Sequence, residues 1–167
     1  SIGTNQILLD GYSDDDNFFE FGFTVDDTLW LYGKTDNGAK FFTETLAKFR
    51  DCSAWMHILL AVDTLQDTQA DRLQFYINGV LQGTYITTDT DETRLSWMNT
   101  SGDRMTVGAR YMTGAASNFF DGYMAEVHFI DDLSFFSDES GTTNSSFNIN
   151  SFGESGDYGE WKPIKYT

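Results

Sequence analysis

Apolar and polar residues alternate with a period of two along much of the chain, the pattern of half-buried strands rather than helices. Phe19, Phe21, Phe23 and Val25 fall on one side of the first such segment, with Glu20, Gly22 and Thr24 on the other. Asp26-Asp27-Thr28 interrupts the run, and residues 29–32 resume it as a partner strand. Residues 38–45 are a further candidate. In residues 54–64 both alternating sets are mostly apolar, which predicts a central strand covered over most of its length. Residues 72–78 alternate Leu73, Phe75 and Ile77 against Gln74, Tyr76 and Asn78. Asn78-Gly79 then predicts a tight type I′ hairpin, because both central positions of that turn need positive φ. The return strand is expected over residues 80–87. Residues 122–131 close the pattern, with Tyr123, Ala125, Val127 and Phe129 on one face.

Helical signals are thin: residues 43–49 have room for one or two turns but carry no long 3.6-residue stripe. Many short strands at hairpin spacing predict an all-β antiparallel sandwich. Residues 88–103 and 134–158 read as long loops, the second with Phe135, Phe136, Phe147, Ile149 and Phe152 as apolar anchors. Neither an internal repeat nor an interdomain linker is visible, so residues 1–167 read as a single domain.

Composition narrows the function. Fifteen Phe and eight Tyr in 167 residues suit pleated sheets. A net charge of −16 argues against nucleic acid as a partner, since phosphate binding needs clustered Lys and Arg. No apolar run is long enough for a membrane-spanning helix, so no membrane partner is expected. Cys52 is the single cysteine and excludes an internal disulfide or a cysteine-based metal site.

The candidate chemistry is that of binding. A nucleophile elbow, a phosphate-binding glycine loop and a zinc-ligand helix motif are absent, so no catalytic residue is expected. His57 and His128, with Glu126 nearby in sequence, sit on expected strands and read as sheet-face histidines. Oxygen-rich turns suit calcium, which takes several oxygen ligands from flexible loops; Asp14, Asp16 and Asp131 are the candidate ligands. A sugar presents an apolar face and hydroxyl edges, so its site pairs an aromatic platform with hydrogen-bonding side chains. Trp97, Arg110, Tyr111, Tyr12 and Asn17 are the candidates for that role. Trp30 and Trp55 read as core, and Trp161 as a packing anchor.

Two stretches carry a family resemblance. Trp55-Met56-His57-Ile58-Leu59-Leu60-Ala61-Val62-Asp63-Thr64, followed by Asp71-Arg72-Leu73-Gln74-Phe75-Tyr76-Ile77-Asn78-Gly79, resembles the W-x-H hairpin core of LamG-like and pentraxin-like concanavalin A folds. Phe120-Asp121-Gly122-Tyr123-Met124-Ala125-Glu126-Val127-His128-Phe129-Ile130-Asp131 comes next, then Phe152-Gly153-Glu154 and Gly159-Glu160-Trp161-Lys162-Pro163. In that order they are similar to a LamG-like domain of marine phage tail, fibre and other virion proteins. The resemblance implies a concanavalin A-like jelly-roll sandwich in a virion or extracellular setting. Its partners would be a host-surface glycan or other virion subunits, with copies associating as a homo-oligomer. The Glu-x-Asp-x-x-Glu strand of sandwich glucanases is missing, so a non-catalytic, glycan-binding adhesion or structural module is expected, with a purely structural decoration or fibre-assembly domain, then a glycan-degrading tail enzyme, as the alternatives. Such domains usually carry further strands before Gln6 and after Tyr166, which makes this chain read as a fragment, or as one completed by a neighbouring chain. Residues 137–150 read as an insertion.

Overall fold

The computed structural model describes residues 3–35, 39–63, 66, 68–88, 103–130 and 149–165. In chain order the strands are β1 (Gln6–Asp14), β2 (Asn17–Phe23), β3 (Leu29–Thr35), β4 (Ala39–Thr45), β5 (Ile58–Val62), β6 (Leu73–Ile77) and β7 (Val80–Leu81). They continue with β8 (Thr84–Thr88), β9 (Arg104–Val107), β10 (Arg110–Met112), β11 (Ala115–Ser117), β12 (Gly153–Ser155) and β13 (Trp161–Pro163). Every strand pairing among the described residues is antiparallel. A single four-residue turn, α1 (Gln69–Arg72), is the α-helix among the described residues. The all-β antiparallel class is the one the alternation predicts.

Two compact units emerge, each from two separated stretches: Ser1–Asp51 with Gly83–Tyr123, and Cys52–Gln82 with Met124–Thr167. The first is built on a six-stranded sheet in the order β8-β4-β3-β2-β1-β9. Successive side chains of a strand point to opposite faces, so the register sorts this sheet into two surfaces. One carries Phe19, Phe21, Phe23, Leu29, Leu31, Thr43 and Thr45, all at most 8% exposed. Each such large side chain, once buried, contributes about 1.5–3 kcal/mol. Gly11 lies opposite Phe19, whose ring covers it so closely that an added Cβ would meet ring carbon at 2.2 Å. The other surface is polar and aromatic.

The second unit holds a three-stranded sheet, β5-β6-β7, in which all five residues of the central β6 are buried. Asn78 (φ 49°) and Gly79 (φ 77°) join β6 to β7 through the type I′ geometry that the dipeptide predicts. Trp161, on the β12–β13 hairpin, fits against that turn. A Cβ on Gly79 would sit 2.3 Å from its ring, and one on Gly153 would sit 2.2 Å away. Its indole N–H donates to His57 Nδ1 at 3.0 Å. Ala61 and Tyr76 form a buried cluster against which Leu59, Ile149 and Phe152 pack. The packing-anchor reading of Trp161, Ile149 and Phe152 therefore holds.

Several expected elements differ. Residues 43–49 form no helix: Thr43 and Thr45 end β4, bury their side chains and pair with β8, so sheet partners override a weak helical tendency. The strand expected over residues 54–64 is shorter. Its ladder ends at Ile58 opposite Ile77, where the partner turns away, and β5 lies at the sheet edge rather than its centre. Trp55 falls outside that ladder and is 71% exposed, not core. The return strand expected over residues 80–87 divides at Gln82-Gly83: β7 stays with β6, while β8 pairs with β4. Residues 122–130 are not a strand. Glu126 adopts a φ of 55°, which breaks an extended run, and Tyr123, Val127 and Phe129 are exposed. Val25 likewise lies beyond the end of β2 and faces solvent.

Candidate functional site

The polar surface of the six-stranded sheet gathers the chemistry. Cross-strand partners share a face, and three rows of partners cross it. One row runs Thr106–Asp10–Glu20–Tyr32–Phe42 from β9 to β4. A second places Arg104, Tyr12, Phe18 and Lys34 side by side. A third joins Gly22, Trp30, Glu44 and Tyr85.

Aromatic rings cover the middle of this surface. Trp30 and Tyr32 stack with centroids 5.6 Å apart and planes only 2° from parallel. Phe42 meets Trp30 edge-on at 5.9 Å, and Phe18 meets Tyr32 at 5.7 Å. Trp30, Tyr32 and Phe42 are each partly exposed, so Trp30 belongs to an open aromatic strip and not to the core as expected. Its indole N–H is shielded and makes no hydrogen bond.

Beside the strip lies a shielded charge cluster. Asp10 is fully buried and Glu20 is 3% exposed. The Tyr111 N–H donates to Asp10 Oδ2 at 3.0 Å, which ties β10 to β1. Arg110 Nε lies 2.6 Å from Glu20 Oε1, an ion-pair distance. That N–H is aimed at Met112 Sδ, 2.9 Å away, so Glu20 Oε1 has the charge of Arg110 beside it without a hydrogen bond. Burial pushes the Asp10 carboxyl up to about 6, against the lowering pull of the Tyr111 N–H, Arg110 and Arg104. Burial pushes Glu20 up to about 7; Arg110 lowers it and the neighbouring Asp10 raises it further.

The expected sugar-binding residues come together in part. Tyr12, Arg110 and Tyr111 meet at the β9–β1 side of this face, where the Arg104 guanidinium lies 3.9 Å over the Tyr111 ring. Asn17 instead closes the β1–β2 turn, donating to both oxygens of Asp14 at 3.0 and 3.2 Å. Trp97 lies outside the described residues. Sequence reasoning missed Trp30, Tyr32, Phe42 and Arg104. The alternation Leu29-Trp30-Leu31-Tyr32, folded back on Phe19-Glu20-Phe21 through the Asp26-Asp27 turn, already places both aromatics opposite Gly22 and Glu20.

Two of the expected calcium ligands, Asp14 and Asp16, make contacts within the β1–β2 turn and with Lys34. Asp14 accepts the Asp16 N–H at 2.8 Å as well as the Asn17 amide, and these bonds hold its carboxyl below the ordinary range. Asp16 pairs with the Lys34 ammonium, which also donates to the Asp15 carbonyl at 3.1 Å. The positive charge at this turn is thus Lys34. Asp131 lies outside the described residues. The histidines serve separate places: His57 accepts from Trp161, and His128 lies 3.4 Å from Glu126.

A laminin G family model, described as the concanavalin A-like lectin/glucanases superfamily, matches residues 1–134. The chain belongs to this superfamily. Its antiparallel sheets are consistent with the concanavalin A-like sandwich class, and carbohydrate is the ligand class that the superfamily's description brings. The match covers the whole six-stranded sheet, including Trp30, Tyr32 and Arg104, as well as Arg110 on β10, and ends ahead of Trp161. No curated protein and no solved structure gives a significant match.

Proposed function

We propose that this domain is a non-catalytic glycan-binding module that serves adhesion on a viral particle, its partner a host-surface glycan. The observation that carries the binding reading is the parallel stack of Trp30 and Tyr32, partly exposed on the polar sheet surface. A sugar ring lies flat on such a strip through its C–H face, while its hydroxyls need donors and acceptors around the rim. Glu44 and Tyr12 supply such groups one and two strand spacings from β3, roughly 5 and 10 Å. The superfamily supports carbohydrate as the ligand. The virion setting and the association of copies rest on the resemblance of residues 120–131, joined to Phe152-Gly153-Glu154 and residues 159–163, to phage tail and fibre domains.

The Asp10–Glu20 pair favours a second reading, a glycan hydrolase, because two carboxyls with raised pKa values beside an aromatic strip are what acid–base cleavage uses. It ranks second because neither carboxyl reaches solvent and Arg110 neutralises one of them. A glycan array followed by calorimetry tests both. Trp30→Ala and Tyr32→Ala each lower affinity about tenfold or more, in line with the loss of 1–3 kcal/mol of stacking, without lowering the melting temperature in proportion. Unchanged binding in both variants rejects the site. Release of reducing ends that Glu20→Gln abolishes replaces the module with an enzyme.

A further inference from the structure

The aromatic strip says nothing of the sugar's charge, but its flank does. Arg104 is exposed on β9, opposite Tyr12, and its guanidinium rests 3.9 Å over the Tyr111 ring. Among the described side chains, two other cations at this face are occupied: Arg110 by Glu20, and Lys34 by Asp16 and the Asp15 carbonyl. Arg104 pairs with no carboxylate among the described residues. In a chain with 26 acidic and ten basic residues, an exposed guanidinium on the binding face, near Asp10 but in no ion-pair contact among the described residues, is a selective feature.

Stacking on Tyr111 uses the flat face of the guanidinium and leaves its N–H edges free. Those edges form a planar fork that suits a carboxylate through two parallel hydrogen bonds. Stacking also fixes the fork before any ligand arrives, which lowers the entropy lost on binding. Arg104 and Tyr32 lie three strand spacings and one row apart, roughly 16 Å, so one chain of several linked sugars can span the strip and the fork.

We infer that the sugar held by this face bears a carboxylate, as a uronic or sialic acid does, and that Arg104 is the residue that reads it. The inference rests on the glycan-binding reading above and adds the ligand's charge. It commits to a carboxylate spaced along the chain and not to a densely sulfated polymer. One guanidinium answers one anionic group, and the field of a domain with net charge −16 repels a polyanion as a whole.

The test is an array holding matched acidic and neutral chains, including oligogalacturonate beside its methyl ester, sialylated beside desialylated glycans, and heparin. Wild-type protein, Arg104→Gln, Arg104→Lys and Trp30→Ala are each applied. Wild type should prefer the acidic member of at least one pair. Arg104→Gln should reduce that binding roughly ten- to hundredfold and leave the neutral member unchanged. Arg104→Lys should recover only part of the loss, since an ammonium lacks the fork. Trp30→Ala should weaken both members. Equal binding of acidic and neutral chains overturns the inference and leaves the glycan reading standing. Strongest binding to heparin overturns the carboxylate assignment, and an absence of any bound glycan overturns both.

Discussion

Asp10 and Glu20 face one another across the β1–β2 ladder, with the main-chain N–H of Tyr111 on one carboxyl and Arg110 beside the other. Two acids sealed into one polar pocket with one guanidinium cannot both ionise cheaply. Their values of about 6 and about 7 follow chiefly from that burial.

This pair makes stability depend on pH with a definite sign. In the unfolded chain the two groups titrate near 3.8 and 4.5. Between roughly pH 4 and 7 the folded state therefore holds more protons than the unfolded state. The stabilisation is complete below that window and is lost as pH rises through the folded values. A contribution on the order of 1–3 kcal/mol is expected. Urea midpoints at pH 5 and pH 8 measure it, and Glu20→Gln should narrow the gap between them. An unchanged gap in that variant would remove Glu20 as its source.

Arg110 offers a related test. Arg110→Met leaves Glu20 buried without its counterion, which costs up to about 3 kcal/mol. Protonation of Glu20 recovers part of that, so the loss should be larger at pH 8 than at pH 5. Combining Arg110→Met with Glu20→Gln should restore much of the stability. A double variant as unstable as the sum of its parts would show that the two do not interact.

On the apolar surface of the same sheet, Phe19 and Gly11 act as one packing unit. Phe19→Ala removes a fully buried ring and should cost about 3–5 kcal/mol in chemical unfolding. Gly11→Ala drives a methyl against that ring, 2.2 Å from its carbon, and should also destabilise. In a Phe19→Leu background the Gly11→Ala penalty should shrink, because the smaller side chain makes room. Strict additivity would argue against their contact.

These pairs explain what could be read from the chain and what could not. Phe19, Phe21 and Phe23 announce a buried face because period two alone fixes their side, and Asn78-Gly79 announces its turn because φ sterics leave few alternatives. Partners are harder. Residues 80–87 divide between two sheets, and residues 122–130 alternate without forming a ladder; neither choice is local. The binding face fell between these cases. Tyr12, Arg110 and Tyr111 were legible as candidates by type. Trp30 read as core because a Trp between two leucines looks buried until the register shows that Leu29 and Leu31 face the other way. Arg104 had no local signal, since its meaning comes from Tyr12 on the neighbouring strand and Tyr111 in the strand that follows.

Trp161 provides a test in the second unit. Gly79→Ala combines a φ of 77°, which non-glycine residues seldom adopt, with a Cβ placed 2.3 Å from the indole. It should lose about 1–3 kcal/mol. Trp161→Phe keeps most of the packing and removes the N–H donated to His57, so about 1 kcal/mol is expected. The His57 imidazole sits below its ordinary value of 6.5 because burial disfavours its charged form. The stability tied to this neutral imidazole is therefore complete above pH 6.5 and is lost as pH falls through the folded value. Trp161→Ala opens the site to water, and the His57 titration followed by NMR should move upward toward 6.5. A His57 titration that ignores Trp161→Ala, together with a silent Gly79→Ala, would mean that the indole does not occupy this turn.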